Sequence, residues 1–65
     1  ENWVEDISLR DAMNRLGERE RHIIDLRFYE GKTQMEVADE IGISQAQVSR
    51  LEKHALHSMR NYLRN

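Results

Sequence analysis

The feature that most constrains this chain is a pair of helix-start signals placed almost back to back. Thr33-Gln34-Met35-Glu36 has the T-x-x-E spacing of a capping box: the Thr hydroxyl accepts from the N3 amide while the Glu carboxylate reaches back to the cap amide. Ser44-Gln45-Ala46-Gln47 repeats the device as S-x-x-Q. The first box opens a helix with room only for residues 34–41, because Gly42 breaks it and the second cap follows at once. Two capped helices separated by a Gly-containing turn of about three residues are the signature of a helix-turn-helix.

That unit makes further demands, and the window meets them. The helices cross steeply, so the inner face of the first needs a small residue, here Ala38. The turn needs a residue that tolerates positive φ, here Gly42. Val37, Ile41, Ile43, Val48 and Leu51 stand where apolar side chains must lock the crossing. The prediction is a helix-turn-helix over residues 34–53, its second helix running on to about residue 62 and burying Val48, Leu51, Ala55, Met59 and Leu63.

The rest of the chain predicts two further helices. Asn2 and Glu5 have capping-box spacing, and Ile7, Ala12, Met13 and Leu16 recur near helical period, giving a first helix near 4–15. Gly17 is expected to end it in the left-handed conformation. A second helix is expected over 18–29, with Glu18 and Glu20 at its positive end, Ile23, Ile24 and Phe28 as its buried stripe, and Gly31 as its stop. Met13, Met35 and Met59 read as core fillers.

These elements amount to one small all-α domain over residues 1–65, four helices including a helix-turn-helix, in a tri- or tetrahelical DNA-binding arrangement. A chain of 65 residues buries only about 60% of the surface it exposes when unfolded, so its core must be economical. Disulfides and cysteine-based zinc sites are excluded by the lack of Cys. No apolar run exceeds two residues, so no membrane span is expected and the cytoplasm is the expected compartment. The start at Glu1, without an initiator Met, reads as a piece of a longer protein.

Charge is unevenly placed. Residues 1–40 hold eleven acids against six bases, a net of -5, while residues 41–65 hold one acid against four bases, a net of +3, for a total of -2. DNA-binding domains are usually basic. An acidic front with a basic back implies one face for phosphate and another that repels it.

Function follows from the motif. The first turns of the second helix of such a unit enter the major groove, so the exposed Gln45, Ala46, Ser49 and Arg50 are the candidate base readers. Arg can clasp guanine O6 and N7, Gln can clasp adenine N6 and N7, and the small Ala46 and Ser49 permit close approach or contact with a thymine methyl. Thr33 and Gln34, at the positive end of the preceding helix, are candidate phosphate ligands. Lys32, Gln47, Lys53 and His54 flank the same groove, and Arg19 and Arg27 share a face of the second helix. Each candidate also has a plain structural role open to it: Arg50 as an ion-pair partner of Glu52, and Arg19 and Arg27 as partners of Glu20 or Asp25.

Residues 16–56, LGERERHIIDLRFYEGKTQMEVADEIGISQAQVSRLEKHAL, resemble region four of bacterial RNA polymerase sigma factors, above all the sporulation and general-stress class with its forespore members F and G. The resemblance implies recognition of the minus-thirty-five promoter element in duplex DNA. It also implies docking on the beta-subunit flap of the polymerase core, an anti-sigma factor as a further partner, and a monomer acting inside the holoenzyme in the nucleoid of the cytoplasm or forespore. Carried over by position, it assigns base contacts to Gln45, Ala46, Ser49 and Arg50, and backbone contacts to Arg19, Arg27, Thr33, Gln34 and Gln47. Primary sigma factors carry larger charged residues at the positions of Gln45, Ala46 and Ser49, which implies a different promoter sequence here.

Other readings compete. Two-component and quorum-sensing regulators share the L-x-x-R-E-R-x-I opening, but their last helix is usually shorter and lacks the continuation from Arg50 to Leu56. A protein-interaction module using the acidic face is a third class, for which Trp3, Val4, Ile7 and Leu9 are candidate docking residues as well as candidate core. No enzyme, cofactor or metal is expected. His54 and His57 have no third ligand in view, and no Gly-rich phosphate loop is present.

Overall fold

A computed structural model describes residues 9–64 as an all-helical arrangement. Helix α1 covers residues 9–14. Helix α2 spans Glu18–Ile24 and passes directly into a five-residue π-helical turn, Asp25–Tyr29. Helix α3 spans Gln34–Ile41, and α4 runs over Gln45–Arg64.

Both capping boxes form. The Glu36 amide donates to Thr33 Oγ1 at 3.1 Å and the Thr33 amide to Glu36 Oε1 at 2.8 Å. The Gln47 amide donates to Ser44 Oγ, and the Ser44 amide to Gln47 Oε1, both at 3.1 Å. Between them Gly42 adopts φ 87°, in the left-handed region, and the Gly42 and Ile43 amides both close onto the Ala38 carbonyl. That double closure satisfies one end carbonyl of α3 and reverses the chain into α4 within three residues.

Two apolar clusters share the long last helix. Ile23, Leu26, Val37, Ala38 and Val48 form one, sealed by Ile41, Ile43 and Leu51. This is the packing the helix-turn-helix pattern anticipates, with Leu26 added from the turn after α2. Ala12, Met13, Ile24, Ala55 and Met59 form the other, with Leu9, Leu16 and Tyr62 against it. Helix α2 lies between the two, giving Ile23 to one and Ile24 to the other. At 20 residues, α4 is about 30 Å long, enough to floor both.

Several sequence expectations need correction. Gly17 is not left-handed: it sits at φ -62°, ψ 160° as the extended N-cap of α2, and the left-handed glycines are Gly31 and Gly42. The second helix does not continue as α-helix to residue 29. The Glu30 amide reaches the Asp25 carbonyl five residues back, and the Lys32 amide closes onto Leu26 beyond Gly31 at φ 73°. Phe28, expected in the buried stripe, stands 54% exposed, while Leu26, three residues on from Ile23, is buried in the helix-turn-helix cluster. Met35 is 62% exposed, because in α3 the inward row is Val37, Ala38 and Ile41. Leu63 is likewise exposed, one turn beyond Met59, where α4 continues to Arg64 past its packing partners. The Asn2–Glu5 box, Trp3, Val4 and Ile7 lie outside the described residues.

Candidate nucleic-acid interface

Packing fixes the rotation of α4 about its axis, and the rotation decides what faces outward. Val48 is fully buried and Leu51 is packed against the same cluster. Their opposite side therefore carries Gln45, Ala46 and Arg50 exposed, with Ser49 half-buried at the edge. Positions i, i+1, i+4 and i+5 of a helix lie on one face, so the four form a single patch over its first two turns. One helical turn further on, Lys53 is also exposed. Arg50 takes no ion-pair partner among the described residues, so its guanidinium presents all five donors to the face.

The one acid of this helix, Glu52, lies on its flank two turns beyond Gln45 and is covered by Arg27 and Gln34. It is only 7% exposed. Its Oε1 accepts from Arg27 Nε at 2.8 Å and from Gln34 Nε2 at 3.0 Å, and its Oε2 takes a longer 3.5 Å contact from Arg27 Nη2. Arg27 Nη1 donates to the Lys32 carbonyl at 2.9 Å. The outward face of α4 thus carries positive charge and no carboxylate of its own, which is the electrostatic condition for entering a groove lined by phosphates.

The phosphate candidates fall into two groups. Arg27, Lys32, Thr33 and Gln34 gather at the start of α3, where the Arg27 and Gln34 side chains meet on Glu52, Thr33 closes its capping box, and Lys32 pairs loosely with Glu40 at 3.6 Å. Gln47, exposed, closes the second box. Arg19 and His54 line a separate shallow cleft with Arg15, Leu51, Ser58 and Tyr62. There His54 Nδ1 meets Glu20 Oε2 at 2.7 Å, while Arg19 is exposed and takes no ion pair among the described residues. His57 is exposed, and among the described residues no group of three or more His, Asp or Glu side chains is placed to hold a metal.

Two features escaped the sequence reading. Glu52 counted there only as a surface partner for Arg50; its burial between Arg27 and Gln34 joins positions 25 and 18 residues apart, which helical periodicity does not connect. The second is an apolar groove lined by Leu9, Met13, Ile24, Phe28, Tyr29, Leu56 and Met59. Phe28, Tyr29 and Leu56 stand exposed in it. The available signal was the run of apolar residues in 23–29, too dense for one buried stripe of a helix whose other side faces water.

Comparison with known proteins bears on the same residues. The family described as Sigma-70, region 4 matches residues 12–61. The RNA polymerase sigma-G factor of Clostridium acetobutylicum is 59% identical over 63 residues, covering 97% of this chain and 24% of the relative. That of Bacillus subtilis is 61% identical over 57 residues, covering 88% and 22%. The RNA polymerase sigma-F factor of Bacillus licheniformis is 52% identical over 63 residues, covering 97% and 25%. The chain therefore spans about a quarter of the length of these relatives.

Proposed function

The chain belongs to the sigma-70 region 4 family, and on that footing we propose that it is the promoter-reading domain of an alternative, sporulation-type sigma factor. In this reading it binds the minus-thirty-five element of duplex DNA while the rest of the protein brings RNA polymerase to the start site. The role is one of binding; no chemical step is assigned to it. The observation that carries the reading is the patch of Gln45, Ala46, Ser49 and Arg50 on the first turns of a helix locked by Val48 and Leu51. Gln45 and Arg50 supply directional readout, and Ala46 and Ser49 keep the helix close enough for it to operate. Arg19, Arg27, Lys32, Thr33, Gln34, Gln47, Lys53 and His54 are the proposed phosphate contacts. The quorum-sensing and two-component alternative loses its ground with family membership.

The net charge of -2 sharpens the mechanism. A single module reading half a turn of duplex with so little positive charge binds weakly alone, because phosphate neutralisation supplies most non-specific affinity. A tether raises the local concentration and removes that deficit. We place the tether, the beta-subunit flap of the polymerase core, on the groove of Phe28, Tyr29 and Leu56, an exposed apolar surface that base reading leaves unused. Leu9, a docking candidate in the sequence, lines that groove. An anti-sigma protein is a second proposed partner, and the forespore cytoplasm the proposed site of action.

The test is selection of promoter DNA by core polymerase carrying the full-length protein, followed by sequencing. A selected upstream element that is lost on Arg50→Ala is the expected result. Failure of the full-length protein to direct core polymerase to any promoter would overturn the reading.

A further inference from the structure

Burying a carboxylate is costly, and an apolar side chain of similar volume at position 52 would fill the same space without desolvating a charge. The Arg27–Glu52 pair therefore calls for an explanation other than packing. Arg27 sits in the π-helical turn, and such turns are frequent at functional sites. Of its five N–H donors, two are spent on Glu52 and one on the Lys32 carbonyl, which leaves two. Its side chain, with the guanidinium also 5.5 Å from the Phe28 ring centroid, remains 27% exposed, so part of it faces solvent. Gln34, half-buried, gives one amide donor to the same carboxylate oxygen and keeps the other.

We propose that Glu52 is a positioning residue for DNA binding: from the inner side of the base-reading helix, its carboxylate holds Arg27 and Gln34 so that their remaining donors meet a backbone phosphate. The inference rests on the promoter-reading function proposed above and deepens it. One carboxylate then sets the phosphate ligands relative to Gln45 and Arg50, since it belongs to the same helix as the base readers. A pre-held Arg loses less side-chain freedom on binding than a free one, and phosphate contacts fix the register in which bases are read.

A rival role predicts the opposite sign. If Glu52 only neutralises Arg27, its removal adds one net positive charge and strengthens DNA binding. Polymerase carrying the full-length protein with Glu52→Gln, Arg27→Gln or both would be titrated with promoter duplex across a salt series. A circular-dichroism spectrum matching the unsubstituted protein at the assay temperature would show that each variant keeps the fold, even where its unfolding midpoint falls. Positioning predicts that each single variant loses about 0.9 from the slope of log affinity against log salt, the value of one phosphate contact, and that the double variant loses no more. Tighter binding or an unchanged or steeper slope for Glu52→Gln, with Arg27→Gln still shallower, overturns the inference and leaves promoter reading intact. An unchanged slope for Arg27→Gln removes Arg27 from the phosphate contacts and overturns the inference as well. Failure of promoter reading itself appears separately, as loss of all sequence preference in the unsubstituted protein.

Discussion

Arg27 and Glu52, on different elements, close a 2.8 Å ion pair whose two members are unequally buried, with side chains 27% and 10% exposed. Removing either one therefore costs differently. Arg27→Ala leaves a buried carboxylate with Gln34 as its one remaining side-chain donor, whereas Glu52→Ala leaves a guanidinium that can turn toward water. Urea unfolding is expected to show a loss of roughly 3 kcal/mol for Arg27→Ala and about half that for Glu52→Ala. Equal losses, or the reverse order, would mean that the pair is hydrated in solution.

Gly42 and Gly17 make a second contrast. Both have open space where a Cβ would stand, but Gly42 is at φ 87° and Gly17 is at φ -62°. Gly42→Ala is expected to cost about 1–2 kcal/mol through backbone conformation alone. Gly17→Ser gives α2 the side-chain cap it lacks and is expected to stabilise by roughly 0.5–1 kcal/mol. Thermal unfolding of the two variants should move in opposite directions, and a shared sign would contradict the assigned backbone.

The two capping boxes are independent devices on separate helices. Thr33→Ala and Ser44→Ala are each expected to lose about 1 kcal/mol, with the double variant near the sum. Chemical denaturation measures all three. A cost near zero for Ser44→Ala would mean that the base-reading helix frays at the end that enters the groove.

Val37→Ala empties part of a fully buried site and is expected to cost about 1–3 kcal/mol, whereas Met35→Ala, two residues away, removes a 62% exposed side chain and is expected to cost within about 0.5 kcal/mol. The same denaturation series decides it. A large loss at Met35 would restore the core role that its helical spacing suggested.

The legible parts of the fold were those set by local chemistry. Thr33 with Glu36 and Ser44 with Gln47 are three residues apart, so spacing alone locates α3 and the start of α4. Gly42 and the row of Val37, Ala38 and Val48 follow from the geometry such a unit imposes. The exposure of the candidate readers was legible in part: with Val48 and Leu51 inward, Ala46 and Arg50 fall on the far side of the helix and Gln45 on its flank. What escaped depends on a change of period or on distant contact. The π-helical turn interrupts the second helix and Phe28 stands exposed, and nothing in a 3.6-residue pattern announces that turn. Glu52 looked like a surface acid because its partners lie in other elements, and Gly17 looked like a stop because glycine serves both ends of a helix.

Base readout by Gln45 and Arg50 is tested most directly by promoter-specific transcription on templates varied one base pair at a time through the upstream element. Core polymerase carrying the full-length protein, unsubstituted or with Gln45→Ala or Arg50→Ala, would be compared on every template. Each substitution is expected to relax discrimination at one position or two adjacent ones, by about 1–3 kcal/mol, while the other positions keep their preference. A uniform fall in transcription across all templates, with no position relaxed, would show that these side chains hold the domain on DNA without reading it.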